Sequence, residues 1–142
     1  MSRKAAPSLQ YAALPYRRRR DGGIEVMLIT SRETKRWVIP KGWPAPGLAP
    51  HDSAQNEALE ESGVVGRISE RSIGFYHYTK LVVDAAVPCK VEVFPLEVDT
   101  QLASWLEQGQ RDIQWFDQQT ASEAVQEPDL SAIIRNLAAL LA

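Results

Sequence analysis

Hydrophobic and polar positions change period several times along the chain, and each change marks an element. Leu9 to Tyr16 (LQYAALPY) is apolar enough for a strand, with Pro15 limiting its ladder bonding. Arg17 to Arg20 lead into Asp21-Gly22-Gly23, a turn signal, and Ile24 to Ser31 (IEVMLITS) supplies the partner strand of a hairpin. Ser31 to Arg36 is a polar connection. Trp37-Val38-Ile39 reads as a short buried strand that Pro40 stops. Lys41 to Pro50 holds two glycines and three further prolines, a composition that excludes regular structure. Pro50 suits the first position of a helix with Asp52 in its first turn, and Gly63 suits its end. Ala49, just before it, offers no side-chain cap. Ala54, Ala58, Leu59 and Ser62 give that helix a face of small residues able to lie close to a sheet.

From Val64 the pattern returns to strands. Arg67 to Ser69, Ser72 to Lys80 with its alternating aromatics, and Lys90 to Val98 are the candidates, with Pro95 pointing to an edge or a bulge. Leu102 to Gln110 is open between helix and loop. Ile113 to Phe116 is a short strand ahead of Asp117, which can cap a helix running to about Val125. Pro128 or Asp129 opens a last helix with Leu130, Ile133, Ile134, Leu137, Leu140 and Leu141 on one stripe. The pattern predicts one mixed α/β domain over residues 1–142, without repeats, preceded by a loose tail at residues 1–7.

Composition narrows the chemistry. A length of 142 residues suits a single core, and 44% hydrophobic with 24% charged residues is ordinary for a globular chain. The net charge of −2 argues against a nucleic-acid binder, and Arg17 to Arg20 read as a solvated hairpin end rather than a binding patch. Cys89 is the single cysteine, which excludes an internal disulfide and a cysteine-based zinc cluster. With His51 and His77 the only histidines, and both expected to be surface or satisfied residues, metal ligands must be mainly oxygen. The start MSRKAAPSLQ has no apolar run of a signal peptide, and no stretch approaches the ~18 apolar residues of a membrane span. A soluble, cytoplasmic protein, monomer or homodimer, is expected.

One cluster is chemically unusual. Glu57, Glu60 and Glu61 fall at i, i+3 and i+4 on the helix, so their carboxylates share a face. Like charges at that spacing destabilise an isolated helix by a few tenths of a kcal/mol, roughly 0.2–0.5 per pair. A hard divalent cation reverses the sign, because Mg²⁺ prefers carboxylate and phosphate oxygens. The cluster therefore reads as a metal site ahead of a solvated helix face.

The segment from Gly42 to Val64 resembles the Nudix hydrolase signature, G-x5-E-x7-R-E-U-x-E-E-x-G-U with U apolar. Gly42, Glu57, Ala58, Glu60, Glu61, Gly63 and Val64 match it, while Leu48 stands in place of the early Glu and Asn56 in place of the Arg. Arg36-Trp37-Val38-Ile39-Pro40 and Trp115-Phe116 carry a narrower likeness to the diphosphoinositol-polyphosphate and diadenosine-polyphosphate hydrolases of that family. The resemblance implies a mixed sheet sandwiched between helices, with a loop-helix-loop catalytic motif. It implies Mg²⁺-dependent hydrolysis of a phosphoanhydride, with Mn²⁺ able to substitute. Glu57, Glu60 and Glu61 would hold the metal and provide catalysis, with the Lys41 backbone carbonyl as an extra ligand. Some relatives draw a further carboxylate from a later loop, for which this chain offers Glu92, Glu107 and Asp112 without choosing among them. Because the family's Arg orients the carboxylates, Asn56 leaves the cluster leaning more on metal.

A small-molecule phosphoanhydride substrate needs cations. Arg32, Lys35, Arg36 and Lys41 are near the motif in sequence, and Lys80, Lys90 and Arg111 could reach it across the fold. Ser8 and Gln10 occupy a stretch that is basic in the inositol-pyrophosphate hydrolases, which moves dinucleoside polyphosphates and other nucleotide anhydrides ahead. Trp43, Tyr76, Tyr78 and Trp105 could stack on a base, although core packing is the expectation for the tyrosines. The rival reading is a non-catalytic nucleotide-binding or regulatory domain, supported by Leu48 and Asn56 and opposed by the intact triple-Glu face.

Overall fold

The computed structural model describes residues 6–142, so most of the expected tail at residues 1–7 lies outside the described residues. Eight strands and four helices follow one another: β1 (Ser8–Arg18), β2 (Ile24–Thr30), β3 (Trp37–Val38), β4 (Lys41–Gly42), α1 (Pro50–Ser62), β5 (Val64–Ile68), β6 (Gly74–Val82), β7 (Ala85–Gln101), β8 (Ile113–Asp117), α2 (Gln118–Ala124), α3 (Pro128–Arg135) and α4 (Leu137–Leu140). The strands form one sheet in the order β3-β2-β1-β7-β5, with β4 also on β1, β6 on β7 and β8 on β2. The β1–β7 pair is parallel and every other pair is antiparallel, so the sheet is mixed.

The β1–β2 hairpin turns at the expected place. Gly22 takes the left-handed φ of 87°, and the Asp21 carboxylate accepts the Gly23 amide at 2.8 Å. The arginines before it are exposed and paired: Arg17 with Glu25 at 2.7 Å and Arg19 with Asp21 at 3.3 Å. They end a hairpin, as their neighbours suggested.

Helices cover both faces of the sheet because the strands alternate. Ala12, Leu14, Val26, Leu28, Val91 and Val93 point to one side, where they meet Ala121, Leu130, Ile133, Ile134 and Leu137 from the C-terminal helices. Ala13, Met27, Phe94 and Leu96 point to the other, against Ala54 and Ala58 of α1. The two layers are unequal. A fully buried Leu or Ile contributes ~1.5–3 kcal/mol and a methyl group under ~1, so the C-terminal side supplies most of the apolar stabilisation. Polar tethers add to the small apolar contact of helix α1: Gln101 Nε2 donates to the Ser62 carbonyl at 2.8 Å, and Gln55 Nε2 to the Gly66 carbonyl at 3.2 Å. That leaves its outer face free to be acidic.

Three expectations need correcting. The Lys41–Pro50 segment does begin with regular structure, because Lys41 and Gly42 pair with Ala12 and Tyr11. Pro95 lies neither on an edge nor at the bulge, since β7 runs through the middle of the sheet. It is tolerated because the antiparallel side of β7 changes partner there: β6 pairs up to Val93 and β5 takes over from Leu96. The last helix breaks at Asn136, so Leu130, Ile133, Ile134 and Leu137 are buried while Leu140 is left 40% exposed. Leu102 to Gln110 resolves as a loop with turns. Among the described residues no helix is long and apolar enough to cross a membrane.

Candidate active site

Helix α1 starts and stops as its sequence dictates. Pro50 opens it behind an uncapped Ala49, and the first backbone bond runs from the Ser53 amide to the Ala49 carbonyl at 2.9 Å. Gly63 ends it at φ 74°, its amide bonded to the Leu59 carbonyl at 3.0 Å. A side chain on Gly63 would also collide with the Trp105 ring, so this residue serves both the helix end and the packing of the following loop.

The carboxylates face a cleft of about 380 Å³, large enough for a small organic ligand. Glu57, Glu60 and Glu61 line it with Lys41 and Gly42 of β4 and Trp43 just after it, Arg32 and Glu33 from the β2–β3 connection, Gln10, Tyr78 and Lys80 from the sheet, and Glu107 and Arg111 from the segment after β7. Glu57 lies against the Cα of Gly42, where any Cβ would occupy its carboxylate's place. Asn56 Nδ2 donates to Glu60 Oε1 at 3.3 Å. Glu61 is buried, 5% exposed, with Arg111 Nη2 at 3.6 Å. Burial, reinforced by a hydrogen bond with Glu57, pushes the Glu61 carboxyl up to about 9 against the pull of Arg111 and Lys41. Burial likewise raises Glu57. The two act as one coupled pair that retains a proton where free carboxylates have none.

Among the described residues no three His, Cys, Asp or Glu side chains are already gathered into a ligand cage. The donor set nonetheless fits a hard cation. Every available ligand is oxygen, the pair Glu57–Glu61 retains a proton that a dication would displace, and Gly42 leaves room for a carboxylate against the backbone. The register adds a main-chain oxygen. The Ala13 amide donates to the Pro40 carbonyl at 3.1 Å, which makes Lys41 opposite Ala12 a non-hydrogen-bonded position whose carbonyl turns away from β1.

The expected cations divide. Arg32 lines the cleft, held by Gln110 at 3.0 Å, and Lys41 and Lys80 line it too. The Lys41 ammonium lies 4.9 Å from the Tyr78 ring centre, and burial lowers its pKa. Arg36 points away, paired with Glu127 at 3.0 Å beside a neighbouring cavity. Lys35 is exposed in a turn at φ 57°, and Lys90 packs its ammonium on Phe75 at 4.5 Å. Neither of these two lines the cleft. Of the later carboxylates, Glu107 enters the site while Glu92 and Asp112 do not. Glu107 and Arg111 stand in a segment with no period to mark them, and the β7–β8 chain path brings them to α1.

No family model matches the chain. It is 31% identical over 106 residues to Nudix hydrolase 13, mitochondrial, of Arabidopsis thaliana, covering 70% of this chain and 52% of that protein. It is 32% identical over 120 residues to Nudix hydrolase 21, chloroplastic, of the same plant, covering 80% of this chain and 56% of that protein. The chain thus spans about half the length of the curated relatives it matches. Among solved structures, C. elegans Ap4A hydrolase superposes with a TM-score of 0.70 at 20% identity, covering 96% of this chain and 100% of that one. The NUDIX domain of Shewanella oneidensis NrtR, complexed with ADP ribose, gives 0.70 at 13% identity, covering 98% and 91%. At these identities the two structures establish the fold.

Proposed function

We propose that this chain, which belongs to the Nudix hydrolase family, is a divalent-metal-dependent pyrophosphohydrolase of a nucleotide phosphoanhydride. The observation that carries the reading is the meeting of five carboxylates, Glu33, Glu57, Glu60, Glu61 and Glu107, with Arg32, Lys41, Lys80 and Arg111 around one cleft. A phosphoanhydride concentrates negative charge, so its hydrolysis is mainly a matter of positioning and charge neutralisation. Mg²⁺, or Mn²⁺ in its place, supplies that neutralisation and a water that ionises near neutral pH. Glu57, Glu60 and Glu61 would hold it, together with the Lys41 carbonyl. One carboxylate of this set takes the proton of the attacking water, while Arg32 and Lys80 hold substrate phosphate oxygens.

Substrate class follows from the walls. Gln10, a neutral residue 3% exposed, accepts the Tyr78 hydroxyl at 2.6 Å and leaves that wall without the extra cations a highly phosphorylated inositol requires. Trp43 is 46% exposed at the cleft and offers a ring face to a base. Dinucleoside polyphosphates and nucleoside-diphosphate conjugates therefore rank ahead of diphosphoinositol polyphosphates. The Ap4A after which one structural neighbour is named a hydrolase and the ADP ribose bound by the other belong to the same chemical class.

The test is a panel of phosphoanhydrides, with product identification, run with and without Mg²⁺. Metal-dependent cleavage of a nucleotide anhydride is expected. Ligand bound and released unchanged would instead establish the nucleotide-binding reading that Leu48 and Asn56 favour.

A further inference from the structure

We infer that Arg111 is a positioning residue of this site, delivering from the segment after β7 the guanidinium that α1 does not carry. The kinetic part of this inference rests on the hydrolase reading above; the electrostatic part does not.

Helix α1 sets Glu57, Glu60 and Glu61 toward its C-terminal end, the negative end of the backbone dipole, and has no basic residue in its last turn. The side chain at position 56 is an amide, which reaches Glu60 at 3.3 Å but brings no charge. The compensating charge arrives from elsewhere in the chain. Arg111, its side chain 10% exposed, donates from Nε and Nη2 to Glu107 Oε1 at 3.2 and 3.1 Å and from Nη1 to the Thr30 carbonyl at 3.1 Å. Its Nη2 stands 3.6 Å from Glu61 Oε1.

Those partners define the role. Three of the five Arg111 N–H groups are hydrogen-bonded and Nη2 also stands beside Glu61, which leaves one Nη1 proton free and the group poorly placed to clamp a substrate phosphate. It instead ties a carboxylate on α1 to a carboxylate on the loop and anchors both to the end of β2. The Glu107 amide reinforces the arrangement by donating to the Glu60 carbonyl at 2.9 Å. Arg111 thereby fixes the spacing between Glu61 and Glu107, and it offsets their repulsion once a bound cation displaces the Glu61 proton.

The experiment compares Arg111→Met and Arg111→Lys with the wild type. Thermal midpoints are measured in EDTA and in Mg²⁺, and kcat and KM are measured on the substrate the panel identifies. Arg111→Met is expected to lower the midpoint in EDTA and to gain more from Mg²⁺ than the wild type does, because the added cation replaces the missing charge. Its kcat is expected to fall ~10–100-fold, as for a residue that orients metal ligands, with KM within about threefold. Arg111→Lys should recover part of both. An identical loss of midpoint with and without Mg²⁺ would reduce Arg111 to a loop anchor and overturn the assignment. A raised KM at unchanged kcat would make it a substrate clamp and overturn it equally. The thermal measurements need no turnover, so an inactive wild type that still shows the Mg²⁺ difference would remove the hydrolase reading alone. A wild type and Arg111→Met that respond alike to Mg²⁺ would remove the Arg111 assignment alone. Should Arg111→Met fail to fold, Arg111→Gln, which also removes the charge but keeps a hydrogen-bond donor, carries the same comparison.

Discussion

The Glu57 carboxylate occupies the space where a side chain on Gly42 would begin. Gly42 has no left-handed φ, so its backbone suits any residue, and the nearest atoms to meet an added Cβ are those of the Glu57 carboxylate. Gly42→Ala is expected to displace that carboxylate and lower kcat about tenfold or more, with the circular dichroism spectrum unchanged. In a double-mutant cycle with Glu57→Gln the two losses should be strongly non-additive. Full additivity would show that Gly42 acts through some other contact.

Glu60→Gln and Glu61→Gln should each remove metal-dependent hydrolysis, by on the order of a hundredfold or more if each carboxylate holds the cation. Their effects on the metal-free protein should differ. Glu61 is buried and retains its proton, so a neutral amide of the same shape costs the fold little. The melting temperature of Glu61→Gln in EDTA near neutral pH should equal or exceed that of the wild type. A large drop would mean that the ionised form is the one the fold favours.

The same burial sets a pH dependence. Glu61 is raised from an ordinary 4.5 to about 9 in the folded state, so the folded protein binds the extra proton. Its contribution is fully present below the unfolded value and is lost as pH rises through the folded one. Metal-free stability from this group should therefore decline between about pH 4.5 and about pH 9. Mg²⁺ should flatten the decline, since it favours the ionised carboxylates. Thermal scans across that range, in EDTA and in Mg²⁺, check it; parallel curves would contradict it.

Trp43→Ala is expected to raise KM for nucleotide substrates by roughly 5- to 150-fold, the ~1–3 kcal/mol of a ring stacked on a base, at nearly constant kcat. Lys35→Ala and Lys90→Ala serve as controls and should alter neither constant, because both side chains lie outside the cleft. Steady-state kinetics on one nucleotide substrate separates these outcomes.

What the sequence revealed and what it hid have a common physical origin. The helix, its Pro50 start, its Gly63 stop and the shared face of Glu57, Glu60 and Glu61 are local facts, set by capping and by the 3.6-residue period. Asp117 as the cap of α2 is equally local, and its carboxylate accepts the Thr120 amide at 3.0 Å. The tolerance of Pro95 depends on which strand lies beside β7 at that point, a matter of tertiary pairing that no local pattern encodes. Lys35 and Lys90 looked useful by charge and proximity, yet the turn at φ 57° and the Phe75 ring take them elsewhere. Glu107 and Arg111 reach the site only through contacts across some fifty residues of chain, for which no periodic signal exists.

The loop after β7 has a consequence for motion. The Leu102 amide donates to the Gly63 carbonyl at 2.8 Å, and the Glu107 amide to the Glu60 carbonyl at 2.9 Å. A stretch without regular structure is thus sewn onto the last turn of α1, whose carbonyls would otherwise be unpaired. The two should open as one cooperative unit, and the Leu102 and Glu107 amides should exchange with solvent deuterium at rates typical of the helix rather than of a loop. Breathing of that unit would separate Glu107 from Glu61, so the local unfolding equilibrium of this corner sets how often the assembled site exists.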